Sequence, residues 1–239
     1  MDALFFGAHP DDVELTSAGL AATLAAAGHA VAIVDLTRGE AASRGTVAER
    51  TSEAEAAARV LGVAVRENLE LPDLGILRSD RAQLAAVVRC IRQHQPSLVV
   101  APHADDAHPD HVEAAALIAS ACYLAGLARF GEGANRHRPV RLLHALYRGS
   151  APPQLVVDVS SVWEQRVRAL ECHRSQLDPQ RGPQTYLTQP GFLAEVEGRA
   201  RAWGALIGVS HGEAYAGRGP LGVFDARALI DRPKLEEPR

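Results

Sequence analysis

Apolar residues of the chain occur in short runs that alternate with helical patterns. The first run covers residues 3–8 and is followed by apolar positions at helical spacing up to Gly28. A second run, rich in β-branched residues, covers residues 30–36. Continuous apolar runs are typical of buried parallel strands, whereas recurrence at i, i+3 and i+4 indicates a helix. The first 36 residues therefore predict a strand, a helix and a second, parallel strand.

The same alternation continues along the chain. Helical patterns cover residues 47–61, 80–94, 162–173 and 191–207, and extended or apolar segments cover residues 63–71, 98–101, 140–148 and 155–158. Thr46 precedes the first of these helices and Glu49 follows three residues later, which is the pattern of a capping box. Strands that alternate with helices predict a single-domain, Rossmann-like α/β fold, with a mostly parallel sheet and helices on both faces.

The length of the chain favours one domain. Its 239 residues are 47% hydrophobic and 23% charged, as expected for a globular protein. We predict that residues 1–231 form this domain and that residues 232–239 are a frayed tail. The segment 175–190, rich in Gln, Pro and Gly, is long enough to be a lid or rim.

Charge and hydrophobicity exclude several classes of partner. The chain has 25 Lys and Arg against 29 Asp and Glu, a formal net charge of -4, so nucleic acid is a poor candidate. The longest stretch without Asp, Glu, Lys, Arg or His, residues 114–128, is too short to span a bilayer. Asp2 is the second residue, and His9, Asp11 and Asp12 end the first apolar run almost at once, which argues against a secretory signal and favours a cytoplasmic location. Cys90, Cys122 and Cys172 are predicted to be reduced and to pack in the core, rather than to form disulfides or a cysteine-based metal site.

Two segments rich in His and Asp follow predicted buried strands. The first reads His-Pro-Asp-Asp from residue 9, and the second holds three His and three Asp in the nine residues from position 103. In open α/β sheets, ligands bind beyond the carboxyl ends of the strands. His9 with Asp12, and His108 with His111, lie at i and i+3 of an opening helical turn. Imidazole and carboxylate at this spacing favour a divalent transition metal, above all zinc.

Helix capping is the alternative interpretation of each segment. An Asp near a helix N-terminus is stabilised by the helix dipole and by backbone N–H groups, so one such segment alone would favour a cap. The occurrence of two similar segments after two buried strands favours a metal site instead.

A dinucleotide site and a serine nucleophile are both disfavoured. Asp35 closes the second strand where a ribose-binding acid would lie, but the glycine fingerprint is missing, and Asp11 and Asp12 would repel a pyrophosphate. The five residues from Gly208 match G-x-S-x-G, but a helical pattern precedes them and no His follows the later acids. Gly208 is predicted to end a helix instead.

The two motifs, Ala8-His-Pro-Asp-Asp12 and His108-Pro-Asp-His111, resemble the LmbE-like (PIG-L) family of zinc-dependent N-acetylglucosaminyl deacetylases. Similarity to the subgroup that makes bacillithiol extends over nearly the whole chain, through residues 36–40, 45–46, Arg50, 67–73, 174–176 and 208–215. The chain differs from that subgroup at His103-Ala104 and at His173, which we expect to line the pocket.

The resemblance implies a metal bound by His9, Asp12 and His111, with water completing the shell and Asp11 as the general base. Three protein ligands with one open position are typical of catalytic zinc, which lowers the pKa of its water to about 7. Iron or another divalent metal would also suit imidazole and carboxylate ligands.

The resemblance also implies roles for three further residues. His108 would stabilise the developing oxyanion or protonate the leaving amine, and Asp110 would orient and charge that imidazole. Arg50 would hold an anionic or sugar group of the substrate. The Asp110 carboxylate, placed beside His108, would raise the pKa of that imidazole and favour its charged form.

The predicted reaction is removal of the N-acetyl group from a small molecule that contains N-acetylglucosamine. The resemblance favours N-acetylglucosaminyl-L-malate, which would give glucosaminyl-L-malate and acetate in bacillithiol biosynthesis. One alternative is a related amidase that acts on another sugar amide or a thiol conjugate, and another is a non-catalytic protein that binds metal or sugar. The resemblance also implies a homo-oligomer, a trimer or a hexamer.

Overall fold

One seven-stranded sheet organises the protein. The computed structural model describes residues 1–130, 135–148 and 151–217, with Gly219 and Gly222. The strands are β1 (Ala3–Gly7), β2 (Val31–Asp35), β3 (Val65–Asn68), β4 (Leu98–Pro102), β5 (Arg141–Ala145), β6 (Leu155–Asp158) and β7 (Gly212–Gly217). Their order is β3-β2-β1-β4-β5-β7-β6. The first five are parallel, whereas β7 is antiparallel to β5 and β6. The predicted mostly parallel sheet is confirmed.

The helices largely follow the sequence pattern. They are α1 (Asp12–Thr16), α2 (Ala18–Ala26), α3 (Val47–Leu61), α4 (Arg81–His94), α5 (Pro109–Leu124), α6 (Trp163–Leu170), α7 (Arg174–Leu177) and α8 (Phe192–Ile207). The capping box of Thr46 and Glu49 is present at α3. Gly208 ends α8 with a φ of 77°, as predicted. The helix expected after β1 is divided at Ser17, where φ is -144°.

Two apolar cores lie on opposite faces of the sheet, because the side chains of a strand alternate in direction. In β1, Ala3 and Phe5 pack into the core formed with α2, α3, α6 and α8. Leu4 and Phe6 pack into the core formed with α4 and α5. The helices therefore cover both faces, as the alternation of elements predicts.

The chain leaves β1 and β4 in opposite directions. After β1 it passes through α1 and α2 to β2 on one side, and after β4 it passes through α5 to β5 on the other side. Such a switch point opens a crevice at the carboxyl ends of the two strands. Because β1 and β4 are neighbours, their following segments meet in this crevice.

Two features differ from what the sequence predicts, and a third prediction concerns residues that the structure does not describe. Strand β7 was not predicted. The segment 175–190 is partly ordered, since it includes the end of α7 and a 3₁₀ turn at Tyr186–Thr188. The domain boundary at residue 231 and the tail 232–239 lie outside the described residues.

None of the helices in the described ranges combines the length and apolar composition needed to cross a bilayer.

Candidate active site

The segment after β1 forms a tight turn that opens α1. The backbone N–H of His9 donates to Asp12 Oδ2 at 2.8 Å, and the backbone N–H of Asp11 donates to the carbonyl oxygen of His9 at 2.9 Å. A Cβ on Gly7 would lie 2.8 Å from that carbonyl oxygen, so the turn requires glycine. The turn brings the side chains of His9, Asp11 and Asp12 to one cavity.

The segment after β4 faces this turn from the start of α5. His108 caps the helix, because its Nδ1 accepts the backbone N–H of Asp110 at 3.2 Å. The ring centroid of His9 lies 4.7 Å from that of His108 and 5.4 Å from that of His111. The two motifs that the sequence places about 100 residues apart therefore converge, as their positions after neighbouring strands predict.

Asp12 lies between the imidazoles of His9 and His111. Its Oδ2 is 3.4 Å from His9 Nδ1, and its Oδ1 is 3.3 Å from His111 Nε2. Metal–ligand bonds of about 2.0–2.1 Å in a tetrahedral site separate neighbouring ligand atoms by about 3.3 Å. Each of these two distances therefore fits a pair of ligand atoms on zinc or a metal of similar size, with the two rings facing different oxygens of Asp12. His9, His108 and His111 form an overlapping set, with one ring nitrogen from each within 4.8 Å of the others.

Two outer carboxylates orient the imidazoles. His9 Nε2 donates to Asp73 Oδ1 at 3.1 Å, and His111 Nδ1 lies 3.0 Å from Asp106 Oδ2. Each ring is thus held at one nitrogen and presents the other to Asp12. Metal-ligating histidines commonly have such a carboxylate partner, which fixes the tautomer and raises the basicity of the ligand. This arrangement is the strongest structural sign of a metal site.

The electrostatics of the cluster attract a cation. Burial opposes charge on both imidazoles, but the surrounding carboxylates outweigh it and raise the pKa of His9 to about 12 and that of His111 to about 10. Burial also opposes ionisation of Asp12, but the charges of His111 and His9 hold its pKa well below its usual value. The same negative potential that holds protons here would favour a divalent metal.

Asp11 lies beside this cluster and pairs with Arg50. Arg50 Nη2 donates to Asp11 Oδ1 at 3.1 Å, and Nη1 donates to the carbonyl oxygen of Gly39. None of the described residues donates to Asp11 Oδ2. The Arg50 side chain is only 4% exposed, although it borders the cavity. The expectation that Arg50 holds the substrate must be modified, because its guanidinium already serves the Asp11 carboxylate.

The expected action of Asp110 on His108 also needs correction. The Asp110 carboxylate accepts the backbone N–H of Leu74 at 2.8 Å and lies 3.4 Å from His9 Nε2. Only its backbone N–H reaches the His108 ring among the described hydrogen bonds. Burial and the charges of His9 and His111 lower the pKa of His108 instead of raising it. Since Nδ1 accepts a backbone N–H, the neutral ring of His108 carries its proton on Nε2.

The cavity that contains these groups has a volume of about 1010 Å³. Part of its wall comes from the segment 175–190, including Gln176 and Tyr186, so the predicted rim is confirmed. Buried Arg44 fixes this rim by donating to the carbonyl oxygens of Ser175 (2.9 Å), Pro183 (2.6 Å) and Asp178. The half-exposed guanidinium of Arg148 also lines the cavity, 3.8 Å from the ring centroid of Tyr186.

Sequence reasoning missed Asp73 and Asp106 as site residues. Both follow the carboxyl end of a strand, and that position is the signal by which they could have been found. It also misplaced two histidines, since neither His103 nor His173 is among the residues that line the cavity. His173 is instead fully buried, 3.5 Å from Glu14 Oε2.

Comparison with known proteins identifies a family whose model spans both motifs. The PIG-L family model, described as GlcNAc-PI de-N-acetylase, matches residues 4–122, a range that includes both motifs. A solved structure of the conserved protein TT1542 from Thermus thermophilus is 33% identical, with a TM-score of 0.85, and the match covers 93% of this chain and 97% of that one.

Two further relatives differ in chemistry. The diacetylchitobiose deacetylase of Thermococcus kodakarensis is 29% identical over 185 residues, which cover 70% of this chain and 67% of that protein. GalB, the 4-carboxy-2-hydroxymuconate hydratase of Pseudomonas putida KT2440, is 22% identical with a TM-score of 0.76, over 94% of this chain and 99% of that one. At that identity, the likeness to the hydratase shows the fold alone.

Proposed function

Because the chain belongs to the PIG-L family, we propose that it is a metal-dependent deacetylase that hydrolyses the N-acetyl group of a small molecule containing N-acetylglucosamine. One observation carries the proposal. The imidazoles of His9 and His111, each held by an outer carboxylate, converge on Asp12 at 3.4 and 3.3 Å, beside Asp11.

His9, Asp12 and His111 would hold the metal. Their donor set suits zinc, and imidazole and carboxylate ligands also accept iron or manganese. Such a metal supplies Lewis acidity, which polarises an amide carbonyl and makes water nucleophilic near neutral pH. Asp73 and Asp106 act as positioning residues, because each fixes the ring that would ligate the metal.

Asp11 is the proposed general base. It borders the cavity next to the ligand cluster, and Arg50 holds its Oδ1 while Oδ2 remains for a proton. Water adds to the amide carbon and gives a proton to Asp11, which passes it to the nitrogen as the C–N bond breaks. The products are the free amine and acetate. In this proposal Arg50 positions the base rather than the substrate.

His108 is the proposed donor to the carbonyl oxygen. Its Nδ1 is occupied by the backbone N–H of Asp110, so the neutral imidazole offers Nε2–H to the oxygen as negative charge develops there. Asp110 serves mainly as a positioning residue, because its carboxylate contacts His9 and holds the backbone at Leu74.

The specific substrate we propose is N-acetylglucosaminyl-L-malate, as in bacillithiol synthesis. The cavity, at about 1010 Å³, is large enough for a sugar with an aglycone. Arg148 supports an anionic aglycone, since its side chain is 50% exposed, lines the cavity beside the aromatic face of Tyr186, and pairs only at 3.9 Å with the exposed Glu195. Diacetylchitobiose is the second candidate, because a 29% identical relative is a diacetylchitobiose deacetylase.

The test is a deacetylation assay with the zinc-loaded and the iron-loaded protein. N-acetylglucosaminyl-L-malate, diacetylchitobiose and the neutral methyl N-acetylglucosaminide are compared by release of acetate and of free amine. We expect the malate compound to have the highest kcat/KM. Replacement of Arg148 by Gln should lower that value while leaving the methyl glycoside nearly unaffected.

His111→Ala tests whether the activity depends on the proposed metal site. It removes one proposed ligand, so metal content measured by elemental analysis and acetate release should fall together. If every N-acetyl sugar stays intact with metal-loaded wild-type protein, the deacetylase proposal is wrong. Other water chemistry, such as the hydration catalysed by the GalB relative, would then have to be tested.

A further inference from the structure

A second group of metal-ligating side chains lies away from the cavity, between the edge strand β3 and helix α4. The Cys90 thiol donates to Glu67 Oε1 at 3.2 Å, and His94 Nε2 lies 2.9 Å from the same oxygen. One potential ligand atom from each of the three residues lies within 4.8 Å of the others. None of them lines the catalytic cavity.

The local structure places these groups together. Cys90 and His94 are at i and i+4 on α4, so they lie on the same face of the helix. Glu67 comes from β3, which forms the edge of the sheet. Cys90 and His94 are buried, whereas the Glu67 side chain is 29% exposed. The group can therefore be reached from solvent through Glu67 while its other two members are held in place by packing.

The charges of the group are suited to a divalent cation. Among the residues that the structure describes, His94 is the ion-pair partner of Glu67, and no arginine or lysine reaches that carboxylate. One thiolate and one carboxylate together would carry two negative charges, which a divalent ion neutralises. Neutrality favours a site that is largely buried, because uncompensated charge is costly there.

We propose that Glu67, Cys90 and His94 form a second metal site, separate from the proposed catalytic centre, for zinc or another divalent transition metal that accepts sulfur. Thiolate, imidazole and carboxylate are all zinc ligands, with bonds of about 2.0–2.3 Å. Tetrahedral bonds of this length need ligand atoms about 3.3–3.5 Å apart, so the group must open by a few tenths of an ångström. The partly exposed Glu67 side chain is the member that can move.

Metal binding would release one proton, from the Cys90 thiol. The sulfur–metal bond forms as the Cys90 thiol loses its proton to solvent, and His94 coordinates through neutral Nε2. No oxidation or reduction takes place. The metal would link the edge strand to α4, and the free energy of unfolding would rise with the logarithm of the free metal concentration once that concentration exceeds the Kd. It also assigns Cys90 a role beyond the core packing predicted from the sequence.

Cobalt(II) is the probe, because thiolate ligation produces a near-ultraviolet charge-transfer band that imidazole and carboxylate ligands do not produce. The reduced full-length protein is titrated with CoCl₂, as wild type, Cys90→Ser and Cys122→Ser. Cys122 is the matched control, since it is also a buried cysteine and packs in the same core. We expect the band in wild type and in Cys122→Ser, and its loss in Cys90→Ser.

Glu67→Gln separates metal binding from packing. Glutamine keeps an oxygen that accepts both hydrogen bonds but removes the anionic ligand. Loss of a residue that only hydrogen-bonds to a metal ligand lowers metal affinity about 10–100-fold. Loss of a ligand itself should therefore weaken cobalt binding at least about tenfold. If Cys90→Ser fails to fold, Glu67→Gln still tests the site, because circular dichroism can show whether Glu67→Gln is folded.

Three results would overturn the proposal. They are the absence of the band in wild type at excess cobalt, its persistence in Cys90→Ser, and unchanged cobalt affinity in Glu67→Gln. The outcome is independent of the proposed deacetylase function, since the band reports thiolate ligation and not turnover. Acetate release by the wild type, if the deacetylase proposal holds, should be retained by Cys90→Ser.

Discussion

Two clusters of charged side chains each include one carboxylate from the short helix α1, and the two clusters differ in their surroundings. Asp12 faces the cavity, between the imidazoles of His9 and His111. Glu14, two residues later, is fully buried and pairs with Arg66 at 2.5 Å. The same short turn of α1 therefore supplies one carboxylate to a cavity and another to the protein interior.

The difference between the clusters lies in the positive charge. Arg66 bridges Glu14 and Asp35, with Nε 2.9 Å and Nη2 3.0 Å from the Asp35 oxygens. In the cavity, the described ion pairs of the four carboxylates around His9 and His111 are with histidine, and none is with arginine. These four are Asp12, Asp73, Asp106 and Asp110.

This comparison distinguishes a structural cluster from a functional one. A carboxylate pair neutralised by its own arginine needs no outside ion and contributes to the fold. A cluster whose positive charge comes from titratable imidazoles must be completed by protons or by a metal, and it opens to a cavity where a substrate can bind. The comparison predicts opposite effects of substitutions in the two clusters.

The largest effect is expected from Asp11→Asn in the cavity. Loss of the proposed base should lower turnover about 10²–10⁴-fold, with metal content and thermal stability nearly unchanged. The asparagine oxygen still accepts from Arg50, so the geometry is retained. Acetate release measures turnover, elemental analysis measures metal content, and thermal denaturation measures stability. Asp105→Asn, the same change at an exposed position on the cavity wall, should keep most of the activity. Near-normal turnover in Asp11→Asn would remove Asp11 as the base.

Arg66→Met in the buried cluster should have the opposite effect. It leaves buried Asp35 without its arginine and Glu14 with His173 as its remaining partner, so the free energy of unfolding should fall by about 3–5 kcal/mol. Urea denaturation measures this loss. Arg201→Met is the matched control, because Arg201 pairs with Glu197 at 2.7 Å on the surface, where such pairs contribute about 0–1 kcal/mol. Equal losses in the two variants would contradict the distinction.

Asp106→Asn should weaken metal binding without emptying the site. The amide oxygen can still accept from His111 Nδ1, but the loss of charge makes the ring a weaker ligand. We expect about 10–100-fold lower zinc affinity, measured by competition with a chromophoric chelator. Wild-type affinity in this variant would mean that Asp106 does not support a ligating imidazole.

The smallest effect is a pH dependence of stability that belongs to Glu14. Burial opposes its ionisation, but Arg66 and His173 outweigh it and lower its pKa to about 2 from 4.5. A lowered carboxyl pKa stabilises the fold above the unfolded value and loses this contribution as the pH falls towards the folded value. The stability advantage of wild type over Glu14→Gln should therefore shrink as the pH falls from about 4.5 to 2. An advantage that grows on acidification would reverse the assigned sign.

Elements with strong local signals were predictable from the sequence. The bounds of α3 are those expected, because Thr46 and Glu49 cap its start and Gly62 takes a φ of 73° at its end. Strand β7 was missed, because its six residues include two glycines and a buried glutamate and lack an apolar run. Glu213 accepts backbone N–H groups of Gly19 and Leu20, and only the folded chain supplies these partners.

The site could be predicted only in part. The convergence of His9 and His111 follows from motifs placed after two buried strands, once those strands are neighbours. The partners of each ring could not be read locally, because Asp73 comes from the loop after β3 and reaches His9 across 64 positions of the chain. Arg50 was assigned to the substrate, yet in the fold it lies against Asp11.

By itself, the sequence predicted the two motifs of the candidate site and the segments that fold locally, since periodicity, caps and motif spacing act over a few residues. Tertiary structure alone decided that Glu14, two residues after Asp12, faces an arginine, and that Glu67 meets Cys90 and His94. The physical reason is that the charge state and reactivity of a side chain depend on neighbours within a few ångströms, and the strand order brings these neighbours from distant parts of the chain.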